Sequence, residues 1–224
     1  NVEMSGGLVT GNVYGGGNIG DVGTITKNAD YNYKWKKTDG STANTAENNK
    51  ITGENTNTGI CKVTISGGTI GTGVEMSDDG TYANGNVFGA GNGLADTWWC
   101  EKAIAFSTDV SITKGTVKGN VYGGGQIGRV EDDAKVTIGS PNGTDAPVIK
   151  GDVFGAGAGL ATHGYSALVR GNADVTVQGK AQIGGSVYGG GETASVGRFT
   201  VVGGLPKHPD SGGTCTVIIK DNAA

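Results

Sequence analysis

The sequence predicts an all-β chain folded as a parallel β-solenoid, and three observations carry that prediction. A pentapeptide recurs, as VYGGG at 13–17, 121–125 and 187–191 and as VFGAG at 87–91 and 153–157. Its opening valines, Val13, Val87, Val121, Val153 and Val187, lie 74, 34, 32 and 34 residues apart, a period of about 33 with one long interruption. A short run of alternating apolar residues precedes each copy, and glycine supplies 45 of 224 residues without the triplet period of collagen. A unit of that length cannot bury a core alone, whereas stacked copies share one. The expected architecture is a right-handed β-helix of about five coils, a single segment over 1–224, with loops inserted at 26–59 and 94–109.

Each element follows from local pattern. The runs VEM (2–4), VTI (63–65), VSI (110–112), VTI (136–138) and VTV (175–177) alternate with period two, the mark of a strand with one buried face. In the Tyr-type repeats this strand leads the VYGGG valine by 11, 11 and 12 residues. The five valines are expected to form one interior column. The glycines are read as corner residues that supply positive φ and let neighbouring coils approach. Asn12, Asn86, Asn120, Asp152 and Ser186 precede the valines, and stacked Asn side chains are expected to bond amide to amide.

Tyr14, Phe88, Tyr122, Phe154 and Tyr188 follow the valines and so face the other way, in a file on the outside. Exposed, that file is a track for sugars or a protein partner; covered by corners or loops, it is a stabilising stack. The sequence leaves both open.

The insertions are the candidate recognition elements, because loops on a rigid scaffold carry variable function. Segment 26–59 carries Tyr31, Tyr33 and Trp35, and segment 94–109 carries Trp98 and Trp99. These five pair apolar area with a polar handle and are the candidate ligand- or partner-binding residues. Each loop also reads as a purely structural feature, a flanking hairpin or a tryptophan plug. Deleting 27–58 is expected to leave the fold intact. The loop after the next Phe-type repeat has His163 and Tyr165 where the tryptophans stood, and 203–214 reads as a turn or linker.

Little chemistry is written in the chain. Seventeen basic against 21 acidic residues, net −4, argue against a nucleic-acid surface, and no run of 18 apolar residues predicts a membrane span. The two histidines, His163 and His208, lack ligand spacing, and no Gly-x-Ser-x-Gly elbow is present. Asp78/Asp79 and Asp132/Asp133 stand at non-equivalent places in their repeats, which suits solvated turns better than a catalytic carboxylate pair. Asp21 gives way to Arg129 in the equivalent repeat, against a calcium ladder. No catalytic, metal or cofactor site is predicted. Cys61, Cys100 and Cys215 leave an odd thiol; a 61–100 disulfide is conceivable, and buried free thiols are the simpler reading.

The heptapeptides GNVYGGG, GNVFGAG, GDVFGAG and GSVYGGG, each after a VTI-like strand, resemble the repeats of adhesin-like, autotransporter-like surface proteins of gut Bacteroidales. The resemblance covers the chain apart from its insertions and is one of repeat style. It implies export and a role in adhesion or surface display, and transfers no binding residue. The expected function is a non-enzymatic extracellular stalk and interaction surface within a large bacterial surface protein. The alternative is a carbohydrate-binding or carbohydrate-active β-helix. Expected partners are host or bacterial glycans, surface proteins, and further repeats of the same chain. The opening strand within TCTVIIK has no pentapeptide after it, so both ends are expected to be open and the chain to be a piece of a longer one.

Overall fold

The computed structural model describes residues 1–23, 59–73, 84–95, 102–162, 166–197, 200–202, 205–207, 213–221 and 223. The regular structure among them is all β, and almost all of it is parallel. A first sheet takes the alternating apolar segments. Its main path joins β1 (Val2–Val9), β3 (Ile60–Ile70), β5 (Ser107–Val117), β7 (Ala134–Ile138), β10 (Ala173–Val177) and β15 (Cys215–Ile219) in chain order. Two short strands extend it: β8 (Val148–Ile149) pairs with the end of β5, and β11 (Gln182–Ile183) pairs with β8. A second sheet takes the pentapeptides, as β2 (Val13–Tyr14), β4 (Val87–Phe88), β6 (Val121–Tyr122), β9 (Val153–Phe154) and β12 (Val187–Tyr188). The only antiparallel pair among the described residues is β13 (Thr200–Val202) with β14 (Leu205–Lys207), so part of the expected linker 203–214 is the arm of a hairpin.

Register follows side-chain parity. Val2, Val63, Val110, Val136, Val175 and Val217 are successive partners across the first sheet, and two residues on, Met4, Ile65, Ile112, Ile138, Val177 and Ile219 repeat the pattern. In the second sheet Val13, Val87, Val121, Val153 and Val187 are successive partners. Apart from the outermost rungs, these columns pack on one another as one core, joined by Ile70, Val117 and Ile149. Val121 is fully buried within it, while Val187, on the last rung of the second sheet, is half-buried.

A second, smaller core lies on the other side of the pentapeptide strands. Val130 bridges Ala105 and Val169, Val169 bridges Val196, and these pack with Ala90, Ala156, Cys61, Ala134 and Ala173. Small residues dominate here because the backbones of successive repeats crowd together. β5 begins at Ser107, so the last three residues of segment 94–109 belong to a strand, with Thr108 buried and its hydroxyl donating to the Gly123 carbonyl at 2.6 Å.

The pentapeptide glycines correct one expectation. None of those in VYGGG or VFGAG has a positive φ; the positive-φ glycines lie elsewhere, at Gly85 and Gly115 for example. Their requirement is close approach. A Cβ at Gly15, Gly89, Gly123 or Gly155 would stand well under 3.0 Å from the carbonyl oxygen of the matching glycine one rung on. No side chain fits between two backbones that near.

Candidate functional site

The outward side of the second sheet carries the aromatic file. Ring centroids of Tyr14, Phe88, Tyr122, Phe154 and Tyr188 follow one another at 4.8–5.0 Å, with planes within 8° of parallel. That spacing is the rung spacing of a sheet, so every strand pair also makes a ring pair. Phe88, Tyr122 and Phe154 are buried, Tyr14 is half-buried, and Tyr188 is 47% exposed. The three inner rings are thus a covered stack, with no room for a sugar to lie on their faces.

The hydroxyls explain why Tyr alternates with Phe. Tyr122 donates to Glu192 Oε2 at 2.7 Å and accepts from Asn120 Nδ2 at 2.9 Å. Tyr14 likewise donates to Gln126 and accepts from Asn12 Nδ2. Each hydroxyl reaches past the phenylalanine beside it to a polar side chain two rungs further along. Burial pushes both phenols above their ordinary pKa, and at Tyr122 the Glu192 carboxylate acts in the same direction against the hydrogen bond from Asn120.

The residues preceding the valines form a ladder, though not one of amide to amide. Asn12 Oδ1 accepts the backbone N–H of Asn86 at 2.9 Å, Asn86 Oδ1 that of Asn120 at 2.8 Å, Asn120 Oδ1 that of Asp152 at 2.8 Å, and Asp152 Oδ1 that of Ser186 at 2.6 Å. Only the carbonyl oxygen is used, so aspartate serves as well as asparagine where the following ring is Phe154 and no hydroxyl needs a donor. A second ladder runs beside it: Asp133 Oδ1 accepts from the Asn172 N–H at 2.7 Å, and Asn172 Oδ1 from the Thr214 N–H at 3.0 Å. Asp133 is therefore a rung cap, one residue of the pair whose sequence had suggested a solvated turn. Asn120→Ala removes both an acceptor and a donor from buried partners and is expected to cost about 2–4 kcal/mol in urea denaturation. Asp152→Asn, which keeps the acceptor, is expected to change stability by less than about 0.5 kcal/mol.

One charged cluster is buried. Glu131 lies between Arg129, whose Nε is 2.6 Å from Oε1, and Arg170, whose Nε is 3.4 Å from Oε2, and all three side chains are 1–2% exposed. The Val130–Val169 bridge sets the geometry, since it places Glu131 beside Arg170. Buried charges need such pairing to survive desolvation. The sequence gave no sign of the cluster, because arginines flanking a core valine read as surface residues.

Cys61 and Cys215 are free thiols in one column of the first sheet, connected through Thr108, Ala134 and Ala173. Cys61 is buried, and burial pushes its pKa from near 9 to about 11. Cys215 is exposed rather than buried, because no strand follows β15. Below pH 9 the Cys61 thiol is protonated in both folded and unfolded chains. Between about 9 and 11 only the unfolded chain ionises there, so stability falls as pH rises through that window. Cys61→Ala is expected to flatten this part of a stability-against-pH curve, and at pH 8 Cys215 is expected to react with a thiol reagent well before Cys61.

The stack is open where the chain's last described strands lie. All five residues of β15 are exposed, including Val217, Ile218 and Ile219 at 40%, 48% and 59%. The first sheet's main path has six strands and the second sheet five, so nothing in the second sheet stands level with β15. The step leaves an apolar groove of about 300 Å³ lined by Val177, Ile183, Gly185, Val187 and Ile219.

The sequence-selected residues Tyr31, Tyr33, Trp35, Trp98 and Trp99 lie outside the described residues, as do Asp78, Asp79, Cys100, His163, Tyr165 and His208. Among the described residues, no group of three or more His, Cys, Asp or Glu side chains converges as a metal site would require, and no helix is long and apolar enough to cross a membrane. What the geometry offers is an apolar end and a set of rung-capping polar groups. Compared with family models, curated proteins and solved structures, the chain finds no match, so its reading rests on its own residues.

Proposed function

We propose that this chain is a segment of a right-handed parallel β-helix, about 33 residues to the coil, serving as a non-enzymatic stalk and interaction surface in an exported bacterial surface protein. The observation that carries the reading is where the polar side chains go. Asn12, Asn86, Asn120 and Asp152 cap backbone N–H groups of the next rung, and the Tyr14 and Tyr122 hydroxyls are bonded to Gln126 and Glu192. Polar residues that serve stacking are the expected chemistry of a spacer, whose task is to hold length and present loops. The repeat-style resemblance to adhesin-like surface proteins supports export.

Two measurements test this. Antibody against the chain should label intact producing cells and lose its target on brief external proteolysis. Purified chain should release no reducing ends from a panel of polysaccharides. Labelling only after permeabilisation would overturn surface display. Polysaccharide cleavage would establish the carbohydrate-active alternative. Glycan-array binding abolished by Trp98→Ala and Trp99→Ala would assign the interaction surface to that loop.

A further inference from the structure

Every inner rung of the second sheet is bonded to the next in the same way. The Val153 N–H donates to the Ser186 carbonyl at 2.9 Å, Gly155 N–H to the Tyr188 carbonyl at 2.9 Å, and Ala156 N–H to the Gly190 carbonyl at 3.1 Å. The same three bonds recur from β2 to β4, from β4 to β6 and from β6 to β9. On β12 the equivalent donors are the N–H groups of Val187, Gly189 and Gly190, and among the described residues none of them has a carbonyl above it. Beside them stand the exposed ring of Tyr188 and the apolar groove under Ile219.

We propose that this vacant rung binds an extended strand of the form Gly-x-Val-Phe-Gly-Ala-Gly supplied by a separate repeat-bearing polypeptide, a case of strand addition to an open sheet. The proposal rests on the stacked-strand reading above. The occupant's chemistry is fixed by the rungs below. Its valine fills the groove over Val187 as Val187 covers Val153, and its ring stacks on Tyr188. The carbonyls of the residue before the valine, of the aromatic residue and of the alanine accept from the three free N–H groups. Its first glycine is obligatory, because its carbonyl must sit against Gly189 as the Gly155 carbonyl sits against Gly123. Phenylalanine is favoured over tyrosine, since in the file no tyrosine stacks directly on another tyrosine. A second copy docking through β1 and β2 fits poorly. Its β1 would continue the first sheet from β15, but the second sheet would still lack a rung between β12 and the incoming β2.

The test uses the whole chain with a copy of residues 151–159, GDVFGAGAG, joined to its C-terminus by a flexible linker, which raises the local concentration of a weak strand to the millimolar range. The control fusion carries Val153→Asp and Phe154→Ser in the appended copy only. The thermal midpoint is expected to rise by roughly 2–4 °C over the control. Amide exchange at Val187, Gly189 and Gly190 should slow at least about tenfold, the fraction of time the rung would be filled at a tenfold binding equilibrium. Free peptide at millimolar concentration should shift the same three amides, and Tyr188→Ser should weaken both effects. No midpoint rise and no protection in the fusion would overturn the proposal. So would a dimer of the unmodified chain with those amides already protected, since a second copy would then be the occupant. Protection at Val121 and Gly123, measured in the same samples, separates the two readings: its loss sinks the stacked fold, while its presence beside an unresponsive β12 sinks only the docking.

Discussion

Gly123→Ala is expected to destabilise the chain by about 3 kcal/mol or more, at or beyond the upper end for an overpacked core. The added methyl would stand well under 3.0 Å from the Gly155 carbonyl oxygen and close to that carbonyl carbon and to Val136 Cγ2. None of these can step aside. The carbonyl accepts nothing that would let it turn freely, the carbon is backbone, and Val136 is fully buried. Because Gly123 does not have positive φ, the cost is steric and not conformational. Asparagine, which tolerates left-handed backbone, should therefore be no better than alanine here. Gly6→Ala is the internal control: nothing lies within 4 Å of its added Cβ, and the change should stay within about 0.5 kcal/mol. Chemical denaturation of the three variants gives the ranking. Equal midpoints for Gly123→Ala and Gly6→Ala would show that the repeats can separate to admit a methyl.

The second large effect is expected at Val121→Asp. Val121 is fully buried at the centre of its column, between Val87 and Val153, and faces the valine and isoleucine columns of the first sheet. No basic side chain belongs to that core cluster. An aspartate there must either remain charged without a partner or take up a proton in an apolar site, and either route costs several kcal/mol. Loss of more than about 4 kcal/mol is expected, enough to remove cooperative thermal unfolding. Val121→Thr, similar in shape, should lose only about 1–2 kcal/mol. An unchanged transition for the aspartate variant would mean that the column is wetter than its burial implies.

How far the sequence could be read depended on the range of the interaction. The repeated valine and the VTI-like runs are visible by counting, and it is at those residues that the parallel strands pair. Period-two alternation is a local signal and needs no knowledge of the partner. The reason for the glycines was less accessible. Steric approach and left-handed backbone both select glycine, and only the position of the neighbouring carbonyl distinguishes them. Amide ladders were expected from stacked asparagines, yet Asp152 in the series already hinted that only an acceptor is needed. The Tyr122–Glu192 and Tyr14–Gln126 bonds join residues 70 and 112 positions apart and two rungs removed, so no local pattern shows them. Arg129, Glu131 and Arg170 are buried against parity expectation, and no composition rule separates such a cluster from surface charges. The tryptophan-bearing insertions, prominent in the sequence, contribute nothing to the described geometry.

The order of the strands has a mechanical corollary. β1 and β15 lie at opposite ends of the first sheet, so tension applied between the outermost strands runs across the strands and along the direction of their hydrogen bonds. Bonds between successive rungs are then loaded in series, and each rung peels from the next instead of many bonds shearing at once. A released repeat of about 33 residues would pay out roughly 110 Å of slack at about 3.3–3.6 Å per residue. The unpaired outer strands would yield first, at low force, and the rungs bearing the Tyr122–Glu192 link would yield later. Such a body is soft in tension and extensible in steps, a shock absorber rather than a rigid rod.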